Sequence, residues 1–173
     1  MNNKKIPSPF GLNMGMLLDQ LDGIPIDNSP GKYILESVPK PHSAFQTYAA
    51  QIGMNNGLSW VKAIGIDIET SSFGFELKSA FDKMKEKLDK AYGKSELTDI
   101  LIHDSIWNEP GDWMSGLNNK ERILMSEWKV DLCSVALLAA ASDSNTGYIA
   151  IEYEFSNHEE CEEEIAALED GFL

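Results

Sequence analysis

The chain has 173 residues, 43% of them hydrophobic, with four tryptophans and a formal net charge of −14. That much apolar content buries a core without disulfide staples and excludes an intrinsically disordered chain. No apolar run approaches the roughly 18 residues of a bilayer-crossing helix, and so acidic a chain repels nucleic acid, whose binding relies on Lys and Arg neutralising phosphates.

Residues 1–9 carry Pro7 and Pro9 and read as an extended lead-in, with two early lysines but no apolar segment of a secretory signal behind them. Asn13 is a good N-cap, and Met14, Leu17, Leu18 and Leu21 at helical spacing before Gly23 predict a short helix. Strands are predicted over residues 33–38, 45–52 and 58–69, the last two joined by the turn signal Asn55-Asn56-Gly57. Leu77, Phe81, Met84, Leu88 and Tyr92 form one stripe of a helix that Gly93 ends, with lysines on its other faces. A strand over residues 100–106 precedes a polar, turn-rich segment, and residues 122–130, 132–141 and 148–155 then read as consecutive strands. Residues 132–141 are apolar on both parities, as expected for a central strand covered on both sides, although their alanines also suit a helix. Ser156 or Asn157 can cap a last helix, Ser156 with Glu159 fitting a capping box, and its apolar side is Cys161, Ile165 and Leu168.

The chain also echoes itself. FGLNMGMLLDQL (residues 10–21) overlays FGFELKSAFDKM (73–84), and SWVKAIGIDIE (59–69) overlays GYIAIEYEFS (147–156). The two offsets, 63 and 87 residues, make the second unit 24 residues longer. The expected organisation is a single domain of two related units, 10–70 and 73–157, with an insertion near 105–122 and an acidic helix over 158–173. The expected fold is α+β: two helix-plus-meander units forming one largely antiparallel sheet, with helices packed on one face.

The charge is lopsided. Residues 1–90 hold ten basic and ten acidic residues, whereas residues 91–173 hold four against eighteen. Such a field attracts a basic protein surface and speeds its encounter; the plainer reading is solubility alone. Cys133 lies in an apolar strand and Cys161 in an acidic helix, a setting for reduced thiols and a cytoplasmic protein.

Catalytic motifs are missing: no G-x-S-x-G, H-E-x-x-H, Gly-rich phosphate loop or C-x-x-C. His103, Asp104 and Ser105 alternate sides along a strand and form no relay. His158 and Cys161, three apart on a helix, supply too few ligands for zinc. No catalytic residue, metal ligand or cofactor is assigned. On the strand over residues 58–69, Ile64, Ile66 and Ile68 are read as inward, which turns Gly65, Asp67 and Glu69 outward. On the last strand Ile149, Ile151, Tyr153 and Phe155 are inward and Glu152 and Glu154 outward. The four carboxylates form either the wet side of an antiparallel sheet or a docking face for a basic partner. Glu159, Glu160, Glu162, Glu163 and Glu164 crowd the start of the last helix, more acid than the helix dipole explains. Trp107, Asn108, Glu109, Asp112 and Trp113 surround Pro110-Gly111, and their tryptophans read as interface anchors or as rings folded back onto the core.

The repeated F-G pattern at 10–21 and 73–84, with the strand pair 61–68 and 148–155, resembles the tandem architecture of β-lactamase inhibitor proteins. The resemblance implies an extended sheet that clasps another protein. The disulfides and signal peptide of those secreted inhibitors are missing here, so their target enzyme does not carry over. In charge the chain is similar to acidic toxin-immunity proteins. The expected role is non-catalytic: binding and neutralising a protein with a basic surface, such as a toxin, nuclease or defence enzyme, with no direct nucleic-acid or membrane binding. The alternatives are a DNA mimic, a small-ligand-binding protein with a deep apolar pocket, and a subunit of a larger assembly with a large apolar patch.

Overall fold

The computed structural model describes residues 6–173, and the first five residues of the expected lead-in lie outside the described residues. The strands are β1 (Gly23–Pro25), β2 (Lys32–Leu35), β3 (Phe45–Gly53), β4 (Gly57–Gly65), β5 (Ile68–Glu69), β6 (Glu96–Leu101), β7 (Arg122–Val130), β8 (Cys133–Ala141) and β9 (Thr146–Phe155). Among the described residues three α-helices join them: α1 (Phe75–Tyr92), α2 (Trp113–Asn118) and α3 (His158–Asp170). The sheet order is β1-β2-β3-β4-β9-β8-β7-β6, with β5 also paired to β9. The β1–β2, β2–β3, β5–β9 and β6–β7 pairs are all antiparallel. This is an α+β fold on one largely antiparallel sheet. Among the described residues no helix is long and apolar enough to cross a membrane.

The chain divides into two compact units. One comprises residues up to Ile64 with Val130–Val135 and Glu152–Leu173; the other comprises Gly65–Lys129 and Ala136–Ile151.

In the first unit, residues 14–21 do not form the expected α-helix. Gly15 N–H donates to Leu58 O and Leu58 N–H donates to Met16 O, both at 2.8 Å, so residues 15–16 are tied to β4 at a turn in which Gly15 is left-handed, and no α-helix forms. Only Leu18–Gln20 make a 3-10 turn, and Leu17 and Leu18 remain exposed. The Phe-Gly echo survives as backbone conformation alone. Gly11 and Gly74 are both left-handed, but Leu12 then runs extended whereas Phe75 begins α1. Phe10 packs edge-on against Phe45, Tyr48 and Tyr153. Gly57, at φ +69°, brings β4 so close to Gly15 that an added Cβ would meet its carbonyl oxygen, which only glycine allows. At the start of α3, Asn157, one of the two expected caps, is the N-cap, without a capping side-chain bond and without the Ser156–Glu159 box. Its amide instead donates to the carbonyls of Asn56 and Leu58.

In the second unit, α1 buries Leu77, Phe81, Met84 and Leu88 as its periodicity predicts. Trp128 of β7 donates its indole N–H to Asp89 and to Gly93 O at the end of that helix, which defines the α1 side of the sheet. The insertion read as a turn-rich loop contains α2, whose Trp113, Met114, Gly116 and Leu117 are buried.

Candidate functional site

The carboxylates singled out from the sequence occupy two different settings. β4 runs with the opposite parity from that expected: Val61, Ala63 and Gly65 are buried, whereas Trp60, Lys62 and Ile64 are only partly so. The strand ends at Gly65 and Ile66 is 48% exposed. Lys62 has the same parity as Ile64, Ile66 and Ile68, and that charge marked the open side. Asp67 and Glu69 are exposed as expected, but they belong to the stretch through β5 rather than to a long β4. Ile68 and Glu69 pair there with Gly147 and Thr146.

β9 follows the expected alternation, with Ile149, Ile151, Tyr153 and Phe155 buried and Glu154 exposed. Glu152 is not an open charge, because Lys62 Nζ lies 2.8 Å from its carboxylate. This ion pair puts Lys62 and Glu152 on a common face, and alternation adds Trp60, Ile64 and Glu154 to it. That face mixes aromatic, cationic and acidic groups and is not a plain acidic stripe.

The acid of α3 is sorted by what it touches. Glu164 is internal to the fold: its carboxylate accepts the N–H groups of Asn55 (2.6 Å) and Asn56 (2.9 Å) and the Asn56 side-chain amide (2.7 Å). Partial burial works to raise its pKa, but these donors outweigh it and hold the carboxyl below the usual glutamate range. Glu154 and Glu162 flank His158 Nε2 at 3.9 and 3.5 Å. Glu159, Glu160 and Glu163 are exposed and have no ion-pair partner among the described residues.

His158 is a contact the sequence did not reveal. Its Nδ1 lies 3.3 Å from Ser59 Oγ, so serine, histidine and glutamate follow one another as in a hydrolytic relay. Ser59 is fully buried, however, and its hydroxyl donates to Gln51 O within the sheet. A carbonyl substrate has no path to that oxygen in this conformation. His103 and Asp104 pair with each other on the surface, while the Ser105 hydroxyl goes to Glu121. Among the described residues no group of three or more His, Cys, Asp or Glu side chains is placed to hold a metal ion.

The tryptophan segment separates into core and surface. Trp113 is 5% exposed, its ring packed against Gly74 with Lys78 Nζ 4.3 Å and Arg122 Cζ 5.7 Å from its centroid. Burial, then the Arg122 charge, lowers the Lys78 pKa. Trp113 is therefore a ring folded back into its own unit, not a free anchor. Trp107 is half-buried beside Gly116, Asn108 and Glu109 are exposed, and Asp112 is half-buried and accepts the Glu109 N–H.

No protein-family model, curated protein or solved structure matches this chain.

One surface of the second unit stands apart. On the side of β6, β7 and β8 away from α1, Ile100, Ile123, Met125 and Leu138 are exposed or only half-buried. The strand expected to be covered on both sides, β8, buries Val135, Leu137 and Ala139 but leaves Ala136, Leu138 and Ala140 part-exposed. A partly exposed aliphatic sheet face is a feature of surfaces that meet another macromolecule.

Proposed function

We propose that this protein is a non-catalytic binding module that captures and neutralises a protein with a basic surface, in the manner of an immunity-type inhibitor of a toxin, nuclease or defence enzyme. The supporting observation is the surplus acid of the C-terminal segment. Glu152–Leu173 contains nine carboxylates and no lysine or arginine. Two of them, Glu152 and Glu164, are used inside the fold.

Helix stability does not account for the remainder. Glu159 and Glu160 complement the dipole in the first turn of α3, but no basic residue sits in its last turn and Glu169 and Asp170 are there instead. Acid at that end works against the dipole. An electronegative helix surface steers a basic partner and raises its association rate at low ionic strength.

The test uses the tagged chain and a Glu159→Lys, Glu160→Lys, Glu163→Lys variant side by side in capture from the native cell, with the captured protein then purified for kinetics. A partner held by the first and not the second, with association slowed about tenfold or more at low salt, supports the reading. Equal on-rates for the two chains at low salt would remove α3 from the mechanism.

A further inference from the structure

The two ends of the strand order are finished differently. In the first unit the terminal strand β1 is three residues long and ends in Pro25, a short edge with a missing donor. In the second unit the terminal strand β6 is six residues long and contains no proline, lysine or glycine. Proteins that stay apart blunt their edges with short strands, proline and charge; β6 is long and proline-free, and its only charges are Glu96 and Asp99. It also exposes Leu97, Ile100 and, just beyond its end, Ile102.

The backbone register shows what the edge offers. Ile102 N–H donates to Glu121 O, and the pairs Ile100↔Ile123 and Thr98↔Met125 continue that ladder. Alternation along an antiparallel pair then turns the N–H and C=O groups of Leu97, Asp99 and Leu101 away from β7.

We propose that β6 pairs with β6 of a second copy of this chain, antiparallel about a two-fold axis through Ile100. Outward-pointing groups of one parity restrict a two-fold pairing to registers centred on a single residue. Centring on Asp99 sets two like charges directly opposite, and centring on Thr98 sets Glu96 against Ile100. Centring on Ile100 sets Asp99 against Leu101 and Thr98 against Ile102, and Glu96 comes opposite Asp104 only beyond the end of the strand, where Asp104 is paired with His103. It also places Ile123, Ile100 and their two counterparts in one row across four strands. Ile100 is 50% and Ile123 39% exposed in the single chain, and β-branched cross-strand pairs are the stabilising unit of a sheet. The negative charge nearest the axis, Asp99, has Arg122 Nη1 3.7 Å away in its own chain. The strand is complementary to itself in its backbone donors and in the isoleucine row that the two-fold completes, and Arg122 offsets the charge nearest the axis, which is why the occupant is a second copy.

Sedimentation of the untagged chain over a concentration series tests this, with a mass of twice the 19.2 kDa protomer expected at the high end. Ile100→Lys, which opposes two ammonium groups at the axis, should return the mass to that of one chain with an unchanged circular dichroism spectrum. Ile100→Cys supplies a reading specific to register. Facing residues of a non-hydrogen-bonded pair have Cα atoms about 4.5 Å apart, within disulfide range, and both native cysteines are buried. Mild oxidation should cross-link Ile100→Cys and leave Thr98→Cys single. A chain that stays monomeric up to millimolar concentration, a dimer that survives Ile100→Lys, or cross-linking at 98 instead of 100 overturns the proposal. If either variant fails to fold, the mass of the unmodified chain decides alone.

Discussion

Glu164 and Asn56 hold α3 to the β3–β4 turn: the carboxylate accepts both the backbone N–H and the side-chain amide of Asn56, at 2.9 and 2.7 Å. Their partnership spans 108 residues of chain, so it closes the first unit on itself. Glu164→Ala removes the acceptor for three donors. Because the group is only partly screened from solvent, the expected loss is about 1–2 kcal/mol, read as a lower urea midpoint with an unchanged slope.

The same group gives a pH dependence with a definite sign. The folded carboxyl lies below its ordinary value of 4.5, so the stabilisation is fully present above that value and is lost as pH falls through the lowered folded pKa. Acid unfolding of the wild type should therefore be steeper below pH 4.5 than that of Glu164→Ala. Parallel acid curves for the two chains would show that Glu164 is not coupled to folding.

Gly57 is where the first unit tolerates no side chain. At φ +69° its Cβ would collide with the Gly15 oxygen, and the obstacle is backbone, which cannot swing aside. Gly57→Ala is expected to cost more than about 3 kcal/mol, since it combines left-handed strain with loss of the Gly15–Leu58 bonding. A thermal midpoint within a degree or two of wild type would refute the close approach.

For Trp113 the surface and core readings make opposite predictions. As a buried ring between Gly74, Lys78 and Arg122, its truncation to alanine should destabilise the chain by about 3–5 kcal/mol. Trp107→Ala, at a half-buried ring, should cost less than half as much. Equal and small losses at both positions would return Trp113 to the surface.

What the sequence revealed depended on how many independent signals agreed. α1 was legible because five apolar residues at one spacing, a lysine-coated remainder and a terminal glycine all point the same way. β7 has the bounds that its pattern predicts. β4 was misread by one residue of parity because three isoleucines outweighed one lysine, and a single step turns every side chain to the other face. The short helix expected over residues 14–21 had helical spacing but no tertiary partner for it. The backbone of Leu58 took Gly15 and Met16 instead, contacts 43 and 42 residues away in sequence that no local pattern encodes. α2 was hidden by Pro110 and Gly111, which read as a turn although a 3-10 turn at Pro110–Asp112 leads directly into the helix. The placement of Ser59 against His158 could not be read at all, since nothing local relates residues 99 apart.

Cys133 allows a test of the strand β8 without any partner. Burial pushes its thiol up to about 12, with the Glu154 charge adding to the effect. Relative to its ordinary value of 9.0, that shift leaves roughly a thousandth of the thiolate at a given pH, and thiolate is the reactive form. Cys161 is fully buried as well. A maleimide-type reagent at pH 8 should therefore label neither cysteine on the timescale that labels both in urea, with native rates at least about a hundredfold lower. Glu154→Lys removes the carboxylate that opposes ionisation and should raise native labelling of Cys133 without affecting Cys161. Rapid native labelling of Cys133 in the unmodified chain would mean that β8 opens more readily than its packing allows.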